Sequence, residues 1–377
     1  MTRMPDRARS LRALATISIL AIAGLSLPGA ACAGEIPTFA VDAAWPKPLP
    51  NNWIIGQVGG ITTDKEGHIW VFHRPRSLTD DEKGAGLTPP RSKCCVSAPP
   101  VLEFDSDGNL LQAWGGPGDG YDWVGREHGI EVDNQGFVWL TGNAETDNAV
   151  LKFTNAGKFV MQIGKIAPSK GSNDTTVLGK PAETTIDQDA NEIYVADGYG
   201  NRRVIVFDAT TGAYKRHWGA YGNKPNDDKQ PPYSPAAPVS QQFGNPVHCV
   251  KIANDGLVYI CDRINDRIQV FKKDGSFVKE FFYEKNTLGN GAVWDIAIWP
   301  DPKQTWLLNV DGENNEIRVL KREDGTVVGS FGHNGRNAGQ FHWVHTMAID
   351  AKGNLYTGEV DTGKRIQKFR LTSDALR

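Results

Sequence analysis

The 377-residue sequence predicts an all-β protein with the architecture of a six-bladed β-propeller. The first observation is a degenerate repeat of roughly 40 to 50 residues, a period typical of propellers and other repeat proteins. The second is the alternation of apolar and polar residues, rich in aromatic and β-branched side chains, which indicates strands within each repeat. The third is the short turn rich in Asp, Asn and Gly between successive strands, which indicates antiparallel hairpins and disfavours a parallel solenoid.

Each repeat begins with a hairpin made of a strand, a short turn and a second strand. Copies of this hairpin occupy residues 60–72, 129–141, 184–196, 250–262, 296–309 and 347–359. A second hairpin, with Gly in its turn, follows every copy except the last. The segment Thr38–Trp45 could supply the missing outer strand, and this would close the ring and leave no open sheet edge.

The composition and the N-terminal sequence predict an exported globular protein. A hydrophobic content of 40% and a net charge of −3 favour a large core and give no sign of nucleic-acid binding. Residues 1–33 combine a basic stretch, an apolar run and small residues before Ala33, which is the pattern of a secretory signal peptide. We therefore expect a propeller over residues 34–377 that is periplasmic or secreted. No other apolar stretch is long enough to span a bilayer, so we expect no membrane insertion of the mature chain.

Four cysteines remain after removal of the signal peptide, an even number for an oxidising compartment. Cys249 and Cys261 flank a turn at residues 254–256 almost symmetrically, so they could form a cross-strand disulfide or remain two buried thiols. Cys94 and Cys95 lie in a Pro-rich segment, and the sequence indicates no partner for them.

One face of the predicted propeller carries the long connections. Residues 75–100, 117–127, 166–180 and 223–245 all follow the second or fourth strand of a repeat, and these connections share a face in an antiparallel blade. Long loops on a rigid scaffold are where binding and catalysis usually occur, so we expect the functional site at this face.

Histidines recur at one position of the repeat, which we name the axial position because the first strand of a propeller blade lines the central channel. In chain order the axial positions hold Gly59, His128, Ala182, His248, Trp294 and His345. Alternate blades are a third of a turn apart, so the three imidazoles should converge on the channel. Three imidazoles with an open fourth position are typical of a catalytic zinc site, although other divalent metals also accept this ligand set. The alternative is that each histidine is a satisfied polar residue of the sheet.

Further candidate residues follow the second strands at the same face. Arg74 and Arg263 suit an anionic substrate, because guanidinium groups bind carboxylates in a bidentate manner. Positive charge nearby favours the ionised form of a phenol, which makes Tyr199 a candidate base. Both arginines could instead brace neighbouring blades, and we assign Asp197 and Asp262 to loop geometry.

Several segments together resemble the peptidyl-α-hydroxyglycine α-amidating lyase family, whose members are six-bladed propellers of NHL repeats. These segments are IGQVGGITTDKEGHIWVFHR, EHGIEVD, VADGYGNRRVIVF, CDRINDRIQVF and FHWVHTMAID, and their order and spacing agree with the family. The resemblance implies that zinc is bound by His128, His248 and His345, with Arg74, Tyr199 and Arg263 around the substrate. It implies cleavage of a peptidyl-α-hydroxyglycine to a peptide amide and glyoxylate, with the tyrosine removing the hydroxyl proton.

Two departures from the family lie beside the third histidine. The family's calcium ligand, an Asp directly after that histidine, is replaced by Thr346, which leaves a Ca²⁺ site without this carboxylate. A family Met two residues before the histidine is replaced by Trp343, which we expect to line the substrate pocket and change its shape.

The sequence therefore predicts a zinc-dependent C–N lyase. Its substrate would be a small molecule or peptide that is an N-acyl hemiaminal with a carboxylate, and its products an amide and glyoxylate. One alternative is a lactonase-like metal-dependent hydrolase, but such sites favour calcium held by oxygen ligands. The other is a non-catalytic NHL propeller that binds a partner or carbohydrate across the same face.

Overall fold

The computed structural model describes residues 35–376, so the predicted signal peptide lies outside the described residues. Short strands and single-turn 3₁₀ helices make up its regular structure. The strands are β1 (Phe39–Val41), β2 (Trp53–Ile54), β3 (Gln57–Thr63), β4 (Ile69–Arg74), β5 (Val96–Ser97), β6 (Val101–Phe104), β7 (Leu110–Trp114), β8 (Glu127–Val132), β9 (Phe137–Gly142), β10 (Ala149–Thr154), β11 (Phe159–Gly164), β12 (Glu183–Asp187), β13 (Glu192–Asp197), β14 (Arg203–Asp208), β15 (Tyr214–Trp218), β16 (Val247–Ile252), β17 (Val258–Asp262), β18 (Arg267–Phe271), β19 (Phe277–Phe282), β20 (Asp295–Ile298), β21 (Trp306–Asp311), β22 (Glu316–Lys321), β23 (Val327–Phe331), β24 (Val344–Ile349), β25 (Leu355–Glu359) and β26 (Ile366–Leu371). The 3₁₀ helices are Pro75–Ser77, Gly84–Gly86, Ala220–Gly222 and Arg263–Asn265.

The strands form the six blades of a propeller, which confirms the predicted fold. Within residues 35–376, six four-stranded antiparallel sheets follow one another along the chain. Blade I contains β3, β4, β6 and β7, blade II contains β8–β11, blade III β12–β15, blade IV β16–β19 and blade V β20–β23. Blade VI contains β24–β26 and takes β1 as its outer strand.

The N-terminal strand closes the ring, as the sequence predicts. Strand β1 pairs antiparallel with β26, with Phe39 opposite Leu371 and Val41 opposite Phe369. Blade VI therefore joins the two ends of the propeller, and the outer edge of β26 is covered.

The core lies between the blades. Each buried apolar cluster takes its residues from two neighbouring blades. In blade IV, for example, Val250 and Ile260 pack against blade III, whereas Cys249 and Tyr259 pack against blade V. Because successive side chains of a strand point to opposite faces of the sheet, every blade contributes to two clusters. This packing holds the first strands in fixed positions around the channel.

The Asp that marks the first turn of several repeats has a structural role. Asp133 accepts hydrogen bonds from the backbone N–H groups of Gln135 and Phe137 through Oδ1, at 2.9 Å each. Its Oδ2 accepts the indole N–H of Trp139 at 3.0 Å. The same Asp therefore shapes the turn and fixes the aromatic side chain of the second strand, which explains why the two recur together in the repeat.

Three features of the fold go beyond the sequence analysis or decide between its alternatives. Cys249 lies opposite Cys261 on β16 and β17, with Cα atoms 4.8 Å apart, and the two form a disulfide. Cys94 and Cys95 are paired with each other. The short strands β2 and β5 form a parallel ladder that the sequence did not predict. In the described part of the chain, no helix has the length and apolar character needed to cross a membrane.

Candidate metal centre and substrate pocket

The three axial histidines lie where the first strands of their blades are bulged. The pairing of β8 with β9 shifts register around His128, that of β16 with β17 at His248, and that of β24 with β25 at His345. A β-bulge rotates a side chain out of the regular alternation of the strand. The bulges explain how side chains of three separate sheets turn toward the same point in the channel.

The imidazoles converge as the sequence analysis expected. The ring centroids of His128, His248 and His345 are 4.8 to 5.0 Å apart, and one nitrogen of each ring lies within 4.8 Å of the others. The residues are only 2–3% exposed. Burial, reinforced by nearby positive charge, lowers the pKa of all three imidazoles well below the usual value. Neutral imidazole is the form that binds metal ions, so this cluster is suited to holding one.

Backbone carbonyls of neighbouring blades orient two of the rings. His128 Nδ1 lies 2.8 Å from the carbonyl oxygen of Ala182, and His248 Nδ1 lies 2.5 Å from that of Trp294. A carbonyl oxygen only accepts hydrogen bonds, so Nδ1 must carry the proton and the lone pair is left on Nε2. Within residues 35–376, Nδ1 of the buried His345 has no hydrogen-bond partner.

Tyr199 extends into the histidine cluster from the loop between β13 and β14 of blade III. Its hydroxyl lies 2.9 Å from Nε2 of His128 and 3.0 Å from Nε2 of His248. Arg263 donates to the same oxygen from Nη1 at 3.3 Å. The phenol hydroxyl therefore lies beside the free Nε2 atoms of two axial histidines.

The loop that carries Tyr199 is fixed by a buried aspartate. Asp197 accepts the backbone N–H of Gly179 at 2.7 Å and a side-chain N–H of Asn201 at 2.7 Å. It also forms a fully buried ion pair with Arg203, in which Nε lies 2.8 Å from Oδ2. Asp262 pairs in the same way with Arg267 at 2.7 Å. These contacts place both aspartates in loop geometry, as expected.

Arg74 both joins two blades and lines the pocket. Its Nε donates to the carbonyl oxygen of Glu127 in blade II, and Nη1 donates to Oε1 of Gln57, both at 2.7 Å. Burial, followed by the positive charge of Arg126, lowers the pKa of Arg74 to about 10. The bracing and the substrate-binding interpretations of this arginine are therefore compatible.

Arg263 lies on the other side of Tyr199 against an aromatic wall. The carbon of its guanidinium group is 4.5 Å from the ring centroid of Trp294, and Nη2 donates to Asn290 at 3.2 Å. Trp343 packs edge-on against Trp294 with ring centroids 5.4 Å apart. Trp343 has a φ of 54°, an uncommon conformation for a bulky residue, and Asn315 Oδ1 accepts its backbone N–H at 2.7 Å.

These groups line a cavity of about 320 Å³ at the mouth of the channel. Five of the residues that the sequence predicted for the site line this cavity, namely Arg74, Tyr199, Arg263, Trp343 and His345. Its wall also includes residues that the sequence analysis missed, namely Gln57, Arg126, Asn143, Asn290, Trp294, Val360 and Asp361. Only Trp294, as an axial residue, carried a signal that could have identified it.

A second polar layer follows along the first strands, and we name it the axial layer. It consists of Glu131, Glu183, Lys251, Asp295 and Thr346. The ammonium group of Lys251 pairs with Glu183 and lies 3.8 Å from Asp295 Oδ1. Thr346, at the position of the family's calcium ligand, donates to Asp295 Oδ2 at 3.1 Å. A cationic side chain of the protein itself thus lies among the carboxylates of this layer.

The fold and site define a β-propeller with three axial histidines, and the comparisons identify its family. NHL repeat-containing protein 3 of Homo sapiens is 30% identical over 285 residues, which are 72% of each chain. A probable peptidyl-alpha-hydroxyglycine alpha-amidating lyase of Caenorhabditis elegans is 27% identical over 328 residues, 84% of this chain and 83% of that protein. The chain belongs to the NHL-repeat propeller family that includes the peptidyl-α-hydroxyglycine α-amidating lyases.

Other comparisons define the extent of this relationship. The peptidyl-glycine alpha-amidating monooxygenase of Mus musculus is 24% identical over 85% of this chain, but the chain spans only 31% of that protein. No protein-family model matches the sequence. Among solved structures, that described as "Streptogramin B lyase structure" has 13% identity and a TM-score of 0.52, covering 90% of this chain and 99% of that one. This likeness supports the fold alone.

Proposed function

We propose that the protein is a metal-dependent C–N lyase that cleaves a carboxylated N-acyl hemiaminal into an amide and glyoxylate. The observation that carries the proposal is the position of Tyr199, whose hydroxyl lies 2.9 and 3.0 Å from two axial imidazoles and 3.3 Å from Arg263. The groups that we propose as base, anion-binding group and metal ligands thus lie close together. Relatives named as amidating lyases support the same chemistry.

Zinc is the metal we propose for the three histidines. The donor set fits, because the imidazoles are buried, neutral and converging, and two have their Nε2 lone pairs directed by backbone carbonyls. When bound, zinc would act as a Lewis acid toward the substrate hydroxyl. His128, His248 and His345 would hold it.

The side chains of the pocket account for the proton transfers that the reaction needs. Tyr199 acts as the general base and accepts the proton of the hemiaminal hydroxyl. The oxygen lone pair then forms the carbonyl of glyoxylate, while the C–N bond breaks and its electron pair goes to nitrogen. Tyr199 returns the proton to that nitrogen, which gives the amide, and no water is consumed. Arg74 and Arg263 hold the substrate carboxylate, and this contact fixes the position of the hemiaminal carbon that bears it.

We also propose that the protein is exported, to the periplasm or as a secreted protein. The predicted signal peptide and the pairing of Cys249 with Cys261 support an oxidising compartment. The proposed partner is a small-molecule or peptide substrate with a carboxylate. We expect neither a nucleic-acid partner nor membrane insertion of the mature chain, because the net charge is −3 and the mature sequence contains no stretch long enough to span a bilayer.

The experiment that tests the proposal measures metal content and glyoxylate release from α-hydroxyhippurate by the purified protein. We expect one zinc ion per chain, loss of activity on chelation and its return with zinc. His333→Ala is the matched control, because this exposed histidine lies outside the pocket. Activity that survives both chelation and His128→Ala would contradict the proposal. A folded protein that shows no turnover with any hemiaminal would favour a non-catalytic NHL propeller.

A further inference from the structure

The arginines of the pocket differ in depth. Arg74 and Arg263 are 4% and 7% exposed and lie against the phenol and the histidines. Arg126 lines the same cavity but is exposed to solvent at its rim. The carboxylate of a hemiaminal bound at the histidines would be held by the deep pair, which leaves the outer guanidinium without a role in the proposed reaction.

Arg126 is held in place by its backbone while its side chain stays unpaired. Its N–H donates to Asp147 Oδ2 at 2.9 Å, and its carbonyl oxygen accepts the N–H of Asn143 at 3.0 Å. Among residues 35–376, no carboxylate or hydrogen-bond acceptor pairs with its guanidinium group. The charge is close enough to Arg74 to contribute to the lowered pKa of that residue. Asp361 also lines the cavity, but no ion pair joins it to Arg126 in the described part of the chain. A guanidinium group at the rim that lacks an ion-pair partner and lies near a second guanidinium group favours an anionic ligand.

Asn143 supplies a second, independent indication of a ligand at this wall. The residue is 9% exposed and lines the cavity beside Arg126. Its Oδ1 is buried and has no hydrogen-bond partner in the described part of the chain. A buried acceptor without a partner is unfavourable, so a ligand N–H that reaches this atom would be stabilised. An N-acyl hemiaminal carries such an N–H on its scissile amide.

We propose that Arg126 and Asn143 form a subsite for the leaving amide, and that the natural substrate carries a second anionic group on its acyl part. Asn143 accepts the N–H of the scissile amide, and Arg126 binds a carboxylate placed further out on the acyl group. The substrate class is therefore an N-acyl hemiaminal with two carboxylates. This inference rests on the proposed lyase function, which places the first carboxylate at Arg74 and Arg263.

The test compares unreactive ligands with one and two carboxylates by calorimetric titration of the purified protein. N-succinylglycine is compared with N-butanoylglycine, and N-(4-carboxybenzoyl)glycine with N-benzoylglycine, so that the result does not depend on one spacing. Of the two dicarboxylates, we expect the one with the more suitable spacing to bind about tenfold more tightly than the monocarboxylate of its pair. A charge-assisted contact is worth at least that factor. Arg126→Gln should reduce this ratio to about one.

Two further variants keep the test decisive. Arg370→Gln removes the same charge from the exposed outer part of blade VI and should leave the ratio unchanged. Asn143→Asp keeps the size of the side chain but places a carboxylate beside Arg126, so it should also remove the preference. Equal binding of both ligands to the wild-type protein, or a preference that survives both pocket variants, would overturn the subsite.

The corresponding α-hydroxyglycine compounds separate the subsite from the proposed reaction. Preferential binding of dicarboxylates without any glyoxylate release would refute the lyase function and leave the subsite standing. Glyoxylate release at equal kcat/KM from both members of a pair would refute the subsite and leave the lyase function standing. Preference in both measurements, lost in Arg126→Gln, would support both.

Discussion

The even-numbered and odd-numbered blades use the axial position in different ways. Blades II, IV and VI place an imidazole there, on a bulged strand. Blades III and V place Ala182 and Trp294 there, and the backbone carbonyls of these residues bond to the imidazoles of the preceding blades. One repeat position thus provides both the candidate metal ligand and the acceptor that fixes its tautomer, because neighbouring blades differ in one side chain.

Blade I differs from the other odd-numbered blades, because its axial residue does not bond to the imidazole of the preceding blade. Its axial residue is Gly59, and a Cβ at this position would lie 2.4 Å from the carbonyl oxygen of Glu127 and 2.8 Å from Cα of His128. The close approach of blade II therefore requires glycine. His345, on the other side of blade I, has no partner for its buried Nδ1 within residues 35–376. Blade I thus packs tightly against one histidine strand and leaves the other histidine without the carbonyl that its counterparts have.

Replacing an even-blade imidazole should have the largest effect. We expect His128→Ala or His248→Ala to lose the metal and to lower kcat/KM by more than about 10⁴-fold, since both Lewis acidity and substrate alignment would be lost. Metal analysis and glyoxylate release measure the two effects. Bound zinc in normal amount in both variants would show that these histidines are not the ligands.

Replacing the phenol of Tyr199 should have the second largest effect on activity. We expect Tyr199→Phe to lower kcat by about 10²- to 10⁴-fold, the usual contribution of a positioned general base. The metal content and the KM should change little, because the imidazoles and the deep arginines remain in place. Unchanged kcat in Tyr199→Phe with full metal content would remove Tyr199 from the reaction.

The sequence was sufficient for the fold and for the convergence of the histidines because both depend on the repeat. Alternation and turn residues recur in every copy, so they define the blades without knowledge of contacts between them. His128, His248 and His345 occupy one repeat position, and the symmetry of a ring brings such positions together. Trp343 was expected at the pocket because it lies two residues before His345, and the structure places it there.

The sequence was not sufficient for features that depend on individual loops or on the backbone. Arg126 and Asn143 do not occupy the axial position of the repeat, and their proximity arises from a backbone hydrogen bond across the base of a loop. The bulges at the histidines and the carbonyls of Ala182 and Trp294 are backbone features with no signature in residue type. The pairing of β2 with β5 involves two residues on each strand, too few for a periodic pattern.

A smaller effect is expected from the odd blade whose axial residue is glycine. Gly59→Ala should destabilise the fold by about 1–3 kcal/mol, because the added methyl group overlaps the backbone of blade II. The displacement of His128 should also weaken the proposed binding of zinc by about tenfold. Gly329→Ala is the control, since a Cβ there meets no atom within 4 Å. Equal unfolding midpoints and equal zinc affinities for the two variants would contradict this account of blade I.

Even-numbered and odd-numbered blades also differ in the charged residues that they contribute to the axial layer. A change in this layer should have the smallest effect, which is on the pH dependence of stability. Even blades contribute Glu131 and Lys251, and odd blades contribute Glu183 and Asp295. Burial raises the pKa of Glu131 to about 7 from an ordinary value of 4.5. A carboxyl group whose pKa is raised on folding contributes its full stability below pH 4.5, and this contribution is lost as the pH rises through about 7.

Glu131→Gln should therefore flatten the dependence of stability on pH. Glutamine resembles the protonated acid and cannot ionise, so the free energy of unfolding of the variant should decrease less than that of the wild type between pH 5 and pH 8. The difference has a ceiling of about 3 kcal/mol for a shift of this size. Urea unfolding at both pH values measures it, with Glu66→Gln on the exposed first turn of blade I as the control. If the free energy of unfolding of Glu131→Gln and of the wild type changed in parallel with pH, Glu131 would ionise in the channel without cost. The charge of Lys251 would then be sufficient to balance Glu183, Asp295 and Glu131 together.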